Sequence, residues 1–172
     1  MDIFWEELTF GLTDSRQLVR VVIRLVAATL LGALVGYQRE KAGKPAGLRT
    51  HILVTLGTSV FVLACSGAGM SSDGLSRVIQ GIITGIGFIG AGSILKLSEE
   101  RNIQGLTTSA GIWMTAAIGV AIGLGSLGVA MLCTLLTLII LALAAPLEHR
   151  LDNKRMDKDK EPEKLTSPLS RP

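Results

Sequence analysis

Five apolar runs alternate with short polar segments along the chain, at about 18–37, 51–70, 78–95, 105–124 and 127–146. Each is close to the length needed to cross a bilayer core of roughly 30 Å at 1.5 Å per residue. Read as one helix, the last two runs would reach about 63 Å, too long for a single crossing. Gly123, Gly125 and Ser126 supply the turn between them. The pattern predicts an all-α, polytopic membrane protein of five transmembrane helices over residues 18–146.

The third run is the densest in glycine. From Gly81 to Gly92 it carries Gly81, Gly85, Gly87, Gly90 and Gly92, with Phe88 among them. Gly81 and Gly85 form a GxxxG pair, which lets a second backbone approach closely. Each glycine also weakens the helix by about 1 kcal/mol relative to alanine. Two readings stand. The run is a tight packing seam, or it is a kinked or broken helix whose freed carbonyls line an ion or solute path.

The polar segments carry the remaining signals. Residues 1–17 mix Trp5 and other apolar residues with acids and are expected to lie in the interface rather than span. They are the wrong charge for a cleavable signal. Arg24 falls inside the first run, one turn after Arg20 on the same face. It is read either as snorkelling to the headgroups or as a buried cation paired across helices. Residues 38–50 hold Arg39, Lys41, Lys44 and Arg49 against Glu40. Gly43, Pro45 and Gly47 interrupt any helix there. This is a solvated basic loop, or one in which Arg39 and Arg49 contact lipid headgroups or another anion. His51, at the mouth of the second run, is read as interfacial. Asp73 opens the third span, four residues before Arg77, where the helix dipole favours an acid. Residues 96–104 read as a short polar loop. Thr107 and Thr108, after Gly105, can hydrogen-bond between helices or coordinate a small ion. Residues 147–172 read as a charged tail, disordered from Asp157 on.

Charge placement gives a direction. With five spans, 13 basic residues fall on one side, including seven in the tail, and Arg16, Arg20 and Arg77 on the other. The positive-inside rule then predicts the N-terminus outside and the C-terminal tail in the cytoplasm. Composition agrees with a membrane protein, at 48% hydrophobic and 18% charged residues. Cys65 and Cys133 lie in apolar runs and read as buried small hydrophobes, with no metal or disulfide framework.

The chemistry for catalysis is missing from the pattern. No phosphate-cradling Gly-x4-Gly-Lys-Ser/Thr loop occurs, and no nucleophile stands with a base and its orienting partner. The chain is expected to be no enzyme and to need no cofactor, resident metal or nucleic acid. The apolar runs contain no Asp or Glu. A divalent-ion path would therefore rest on backbone carbonyls and Thr84, Thr107 and Thr108.

Four segments carry a family resemblance. Gly36-Tyr-Gln-Arg39-Glu40, Ala46-Gly-Leu-Arg49-Thr-His51, Gly85-Ile-Gly87-Phe88-Ile-Gly90-Ala-Gly92 and Gly105-Leu-Thr107-Thr108 occur in this order. Together they resemble the signatures of the MgtC/SapB family, over roughly residues 18–143. The resemblance implies a bacterial inner-membrane, multi-pass protein linked to magnesium limitation, acid stress and, in some members, virulence. Three departures stand out. Gln38 replaces the family's usual glutamate. Gly74 occupies the position of an acid that here sits one residue earlier, at Asp73. The chain also resembles the short form, without a C-terminal soluble domain.

Two functions follow as expectations. The first is a non-catalytic modulator that docks another membrane protein, or itself as a homo-oligomer, in adaptation to low magnesium. The alternative is a channel or secondary transporter for Mg2+ or another small cation.

Overall fold

The computed structural model describes residue 3, residues 15–96 and residues 103–143. The expectations for the N-terminal segment, except at residues 15–17, and for the 147–172 tail concern residues outside these. The chain divides into two compact units, Met1–Thr137 and Leu138–Pro172. Of the second, residues 138–143 are described, and they are helical.

Five helices are present among the described residues. They are α1 (Ser15–Lys41), α2 (Leu48–Gly67), α3 (Ser72–Gly92), α4 (Leu106–Gly123) and α5 (Leu127–Leu143). The first four are long and apolar enough to cross a membrane; α5 is apolar but shorter over its described length.

Several boundaries differ from the hydropathy pattern. α1 continues through Gln38, Arg39 and Glu40 to Lys41, so the basic loop shrinks to residues 42–47. Arginine and glutamate are good helix formers, and polarity alone does not end a helix. Termination comes at Gly43, whose φ of +66° leaves the helical region, followed by Pro45. α2 then starts at Leu48, and the Glu40 carboxylate (Oε2) accepts the Leu48 amide at 2.8 Å. A side chain from the preceding helix thus caps an N-terminus whose own cap position is Gly47. α3 is capped by Ser71, whose Oγ accepts the Gly74 N–H at 3.2 Å; Asp73 sits exposed in the first turn. The 96–104 loop is framed by two strands, β1 (Leu95–Lys96) and β2 (Ile103–Gln104). They pair antiparallel, Leu95 with Gln104 and Lys96 with Ile103.

The glycine-rich run is one unbroken α-helix through Gly92. The broken-helix reading is not what the backbone adopts. In an apolar environment every intrahelical hydrogen bond lost is a polar group without water, which outweighs the helix propensity of glycine.

The core lies between α1, α2 and α4. Ala28, Gly32, Val35, Gly36 and Arg39 are the buried residues of α1; His51, Thr55, Thr58, Ser59 and Val62 are those of α2. The two sets have the same spacing, so two matching helical faces meet lengthwise. α4 fills the groove they form, with Ile112, Ile118 and Ile122 fully buried. Its apolar window is 50% buried, against 11% for α3. α3 leans on α4 and touches α2 lightly; Ile86 and Gly90 are its buried residues. Cys65 and Cys133 are half-buried rather than enclosed.

Candidate functional site

Small residues decide how closely the core helices approach. A Cβ on Gly36 would meet the Leu48 backbone, and one on Gly32 would meet Thr55 Oγ1 and the His51 carbonyl. On the other side of α2, a Cβ on Gly119 would collide with Thr58 Oγ1 and the Thr55 carbonyl, and one on Gly123 with Val62. The glycines that bring backbones together are thus those of α1 and α4.

This close packing encloses a polar centre. His51, Thr55, Ser59 and Thr115 are wholly buried, and Arg39 and Thr108 are 2% exposed. Arg39 Nη2 donates to Thr108 Oγ1 at 3.4 Å, tying the end of α1 to the first turn of α4. His51 Nδ1 lies 2.7 Å from Thr115 Oγ1, tying α2 to the middle of α4. The threonines satisfy their hydroxyls within their own helices. Thr115 Oγ1 donates to the Gly111 carbonyl at 2.8 Å and Thr55 Oγ1 to the His51 carbonyl at 2.8 Å. His51 Nε2 and Ser59 Oγ remain buried without a hydrogen-bond partner.

At the other end of α4, Arg24 Nη1 donates to the Gly123 carbonyl at 2.9 Å. The last carbonyls of a helix carry its negative dipole end, so the half-buried guanidinium serves as a C-terminal cap supplied by α1. Arg24 is therefore paired across helices, with a backbone carbonyl in place of a carboxylate.

The other sequence-predicted residues separate into groups. Arg39 and Thr108 meet in the buried centre. Glu40 caps α2, while Arg49, Asp73 and Arg77 are exposed. Thr107 is half-buried beside Thr108, and exposed Thr84 donates to the Gln80 carbonyl of its own helix. Gly105 has φ +97° and lies against the Ser93 carbonyl, where the chain turns from β2 into α4. Gly90 faces Ser109. Gly85, Gly87 and Gly92 meet nothing within 4 Å, and Phe88 is 85% exposed. Among the described residues, the packing seam expected along α3 is thus made at Gly90 alone of the five glycines. Beside it lies an apolar groove of about 590 Å³ between α2 and α3, lined by Leu53, Phe61, Ile82 and Gly85 among others.

His51 is the main residue that the sequence reading misplaced: it is enclosed, not interfacial. Its face was visible in the spacing of His51, Thr55, Ser59 and Val62, which repeats the Ala28, Gly32, Gly36 and Arg39 spacing of α1. Gly111, Thr115, Gly119 and Gly123 on α4 follow the same four-residue step. Among the described residues no three His, Cys, Asp or Glu side chains come together to hold a metal ion.

Four long apolar helices, three of them around a closed polar centre, define a multi-pass helical membrane protein. The chain belongs to the MgtC family, whose model matches residues 25–150. It is 42% identical over 130 residues to Protein SrpB of Synechococcus elongatus, covering 69% of this chain and 71% of SrpB. It is 40% identical over 143 residues to the putative magnesium transporter YhiD of Escherichia coli K12, covering 77% of this chain and 64% of YhiD. Against Protein MgtC of Salmonella typhimurium the identity is 44% over 117 residues, 68% of this chain and 49% of MgtC. The chain thus spans about half the length of MgtC and under two thirds of YhiD. No solved structure matches it.

Proposed function

We propose that this protein is a non-catalytic modulator in the bacterial inner membrane. It docks another membrane complex and helps the cell adapt to magnesium limitation. The observation that carries this reading is the contrast between a sealed core and an open α3. The core helices touch at Gly36, Gly119 and Gly123, which leaves no room for a hydrated ion between them. α3, by contrast, presents Gly85, Phe88 and Gly92 on one face without a partner among the described residues. A transmembrane helix of the target complex fits such a face, because small residues permit close backbone contact in lipid. In this reading the N-terminus lies outside and the tail inside, following the 13-to-3 basic asymmetry.

The second reading is transport of Mg2+ or another small cation, and it draws on the name of the relative YhiD. A magnesium flux assay on the full chain in liposomes separates the two. The modulator reading expects no flux above protein-free liposomes. It also expects Gly85→Ala to keep normal membrane abundance while losing complementation in low magnesium, since a Cβ at this site meets nothing within 4 Å among the described residues. Magnesium flux that is proportional to protein and altered in a folded Thr108→Val variant would overturn it.

A further inference from the structure

We infer that the groove between α2 and α3 holds one acyl chain of an anionic phospholipid, with the headgroup phosphate on Arg49. The groove has a volume of about 590 Å³, within the range of small-molecule pockets. Leu53, Gly57 and Phe61 line it from α2, and Gly81, Gly85 and Ile89 from α3. The four-residue step keeps each set on one face of its helix. The short turn between Gly67 and Ser72 sets the two helices antiparallel. The groove therefore runs from Leu53 and Ile89 at one end to Phe61 and Gly81 at the other. Its α2 wall covers about 12 Å, close to one leaflet's share of a bilayer core of roughly 30 Å. Thr58 is the one lining residue with a polar side-chain atom, and its Oγ1 donates to the Val54 carbonyl of its own helix at 2.9 Å. The lining thus presents hydrocarbon and asks for no polar partner.

Shape and charge together name the occupant. A Cβ on Gly57, Gly81 or Gly85 would meet nothing within 4 Å among the described residues, so the glycines leave a trough. An empty trough forfeits dispersion contacts, and a flexible unbranched chain restores them. Arg49 lies one turn before Leu53 on the same face of α2. It is exposed, with no hydrogen bond or ion pair among the described residues. Lys41 and Lys44 precede it, against the single acid Glu40, whose carboxylate is engaged at the Leu48 amide. At the far end the charges cancel. Arg77 stands one turn before Gly81, but Asp73 is one turn further along the same face, and both are exposed. An anionic headgroup therefore has one favourable end. A guanidinium offers a phosphate paired hydrogen bonds. An ethanolamine headgroup would bring its own ammonium to the same basic end and lose that advantage. The site does not depend on the docking reading; it borders the open face of α3 at Gly85.

The test titrates the full chain, delipidated in detergent, with phosphatidylglycerol or with phosphatidylethanolamine of the same acyl chains. Native mass spectrometry counts the bound lipids. The first phosphatidylglycerol should bind more tightly than the first phosphatidylethanolamine. Arg49→Gln should weaken phosphatidylglycerol binding about fivefold, the order expected for one basic residue at an anionic headgroup, and remove the preference. Arg77→Gln should leave the preference intact. Gly57→Leu puts a side chain into the groove from the α2 wall and should lose the first phosphatidylglycerol although Arg49 is still present. Four results would each overturn the inference. These are equal binding of the two lipids, a preference that survives Arg49→Gln, one lost equally in Arg77→Gln, and unchanged binding in Gly57→Leu. A parent protein that is a dimer in detergent, and that Gly57→Leu splits, would overturn it too by assigning the groove to a second copy. Should Gly57→Leu not fold, Leu53→Gln serves instead. Leu53 is 67% exposed, so the change makes the wall polar without entering the core, and unchanged lipid binding there would count against the proposal equally.

Discussion

α4 and α3 are both glycine-rich apolar helices of similar length, and they use glycine in opposite ways. On α4, Gly119 and Gly123 stand where the α2 backbone and Val62 arrive, so there is no space for a side chain. On α3, a Cβ on Gly81, Gly85 or Gly92, which share a face, would meet nothing within 4 Å among the described residues. The residue type is the same; the neighbour is not. A GxxxG-like stripe reports that close approach is permitted, and only a partner at hand turns permission into contact. The α4 stripe has found its partner within the chain. The α3 stripe has none among the described residues, which is why it bears the docking part of the proposed function.

The contrast can be broken most sharply at Gly119. Gly119→Leu should destabilise the fold by about 3 kcal/mol, because the clash is with backbone at Thr55 as well as with Thr58. Membrane abundance and thermal unfolding in detergent would both fall. Normal abundance and unchanged unfolding would mean that the core is not closed as described.

The ends of the closed region should matter less. Arg24→Met removes the bond to the Gly123 carbonyl and leaves the end of α4 without its cationic cap. A loss of about 1–2 kcal/mol is expected, read as a lower unfolding temperature. Glu40→Ala removes the carboxylate that accepts the Leu48 amide, and should cost about 1 kcal/mol. Amide exchange at Leu48 would report that loss locally, and an unchanged rate there would show that the cap is idle.

The smallest effect is expected on the open face, with the opposite sign. Gly85→Ala meets no atom of the chain and raises helix propensity, for a gain of up to about 1 kcal/mol. Thermal unfolding should hold or rise. A marked loss would mean that Gly85 is already packed against a second copy in the measured preparation, which would sharpen the comparison into one between intrachain and interchain seams.

Some of this organisation was legible in the linear order of residues. Hydropathy and length mark where backbone must satisfy its own hydrogen bonds, so the helices and the glycine turn before α5 follow from composition along the chain. The four short segments led to the MgtC family. Helix ends were less legible. Gln38–Lys41 continues α1 although it is polar, because arginine and glutamate favour the helix and the break comes only at Gly43, so hydropathy was a poor guide to that boundary. The fate of each polar residue was legible only in part. Arg39 and Arg49 look alike in sequence, yet one is buried on Thr108 and the other is exposed. His51 sits at the end of an apolar run, but three helices close over it because Gly36, Gly111 and Thr115 leave room for its ring. Local sequence determined which segments become apolar helices, since that depends on each segment's own backbone and side chains. Only the tertiary structure decided which glycine stripe is sealed and which polar side chains are enclosed, since both depend on which helix faces which.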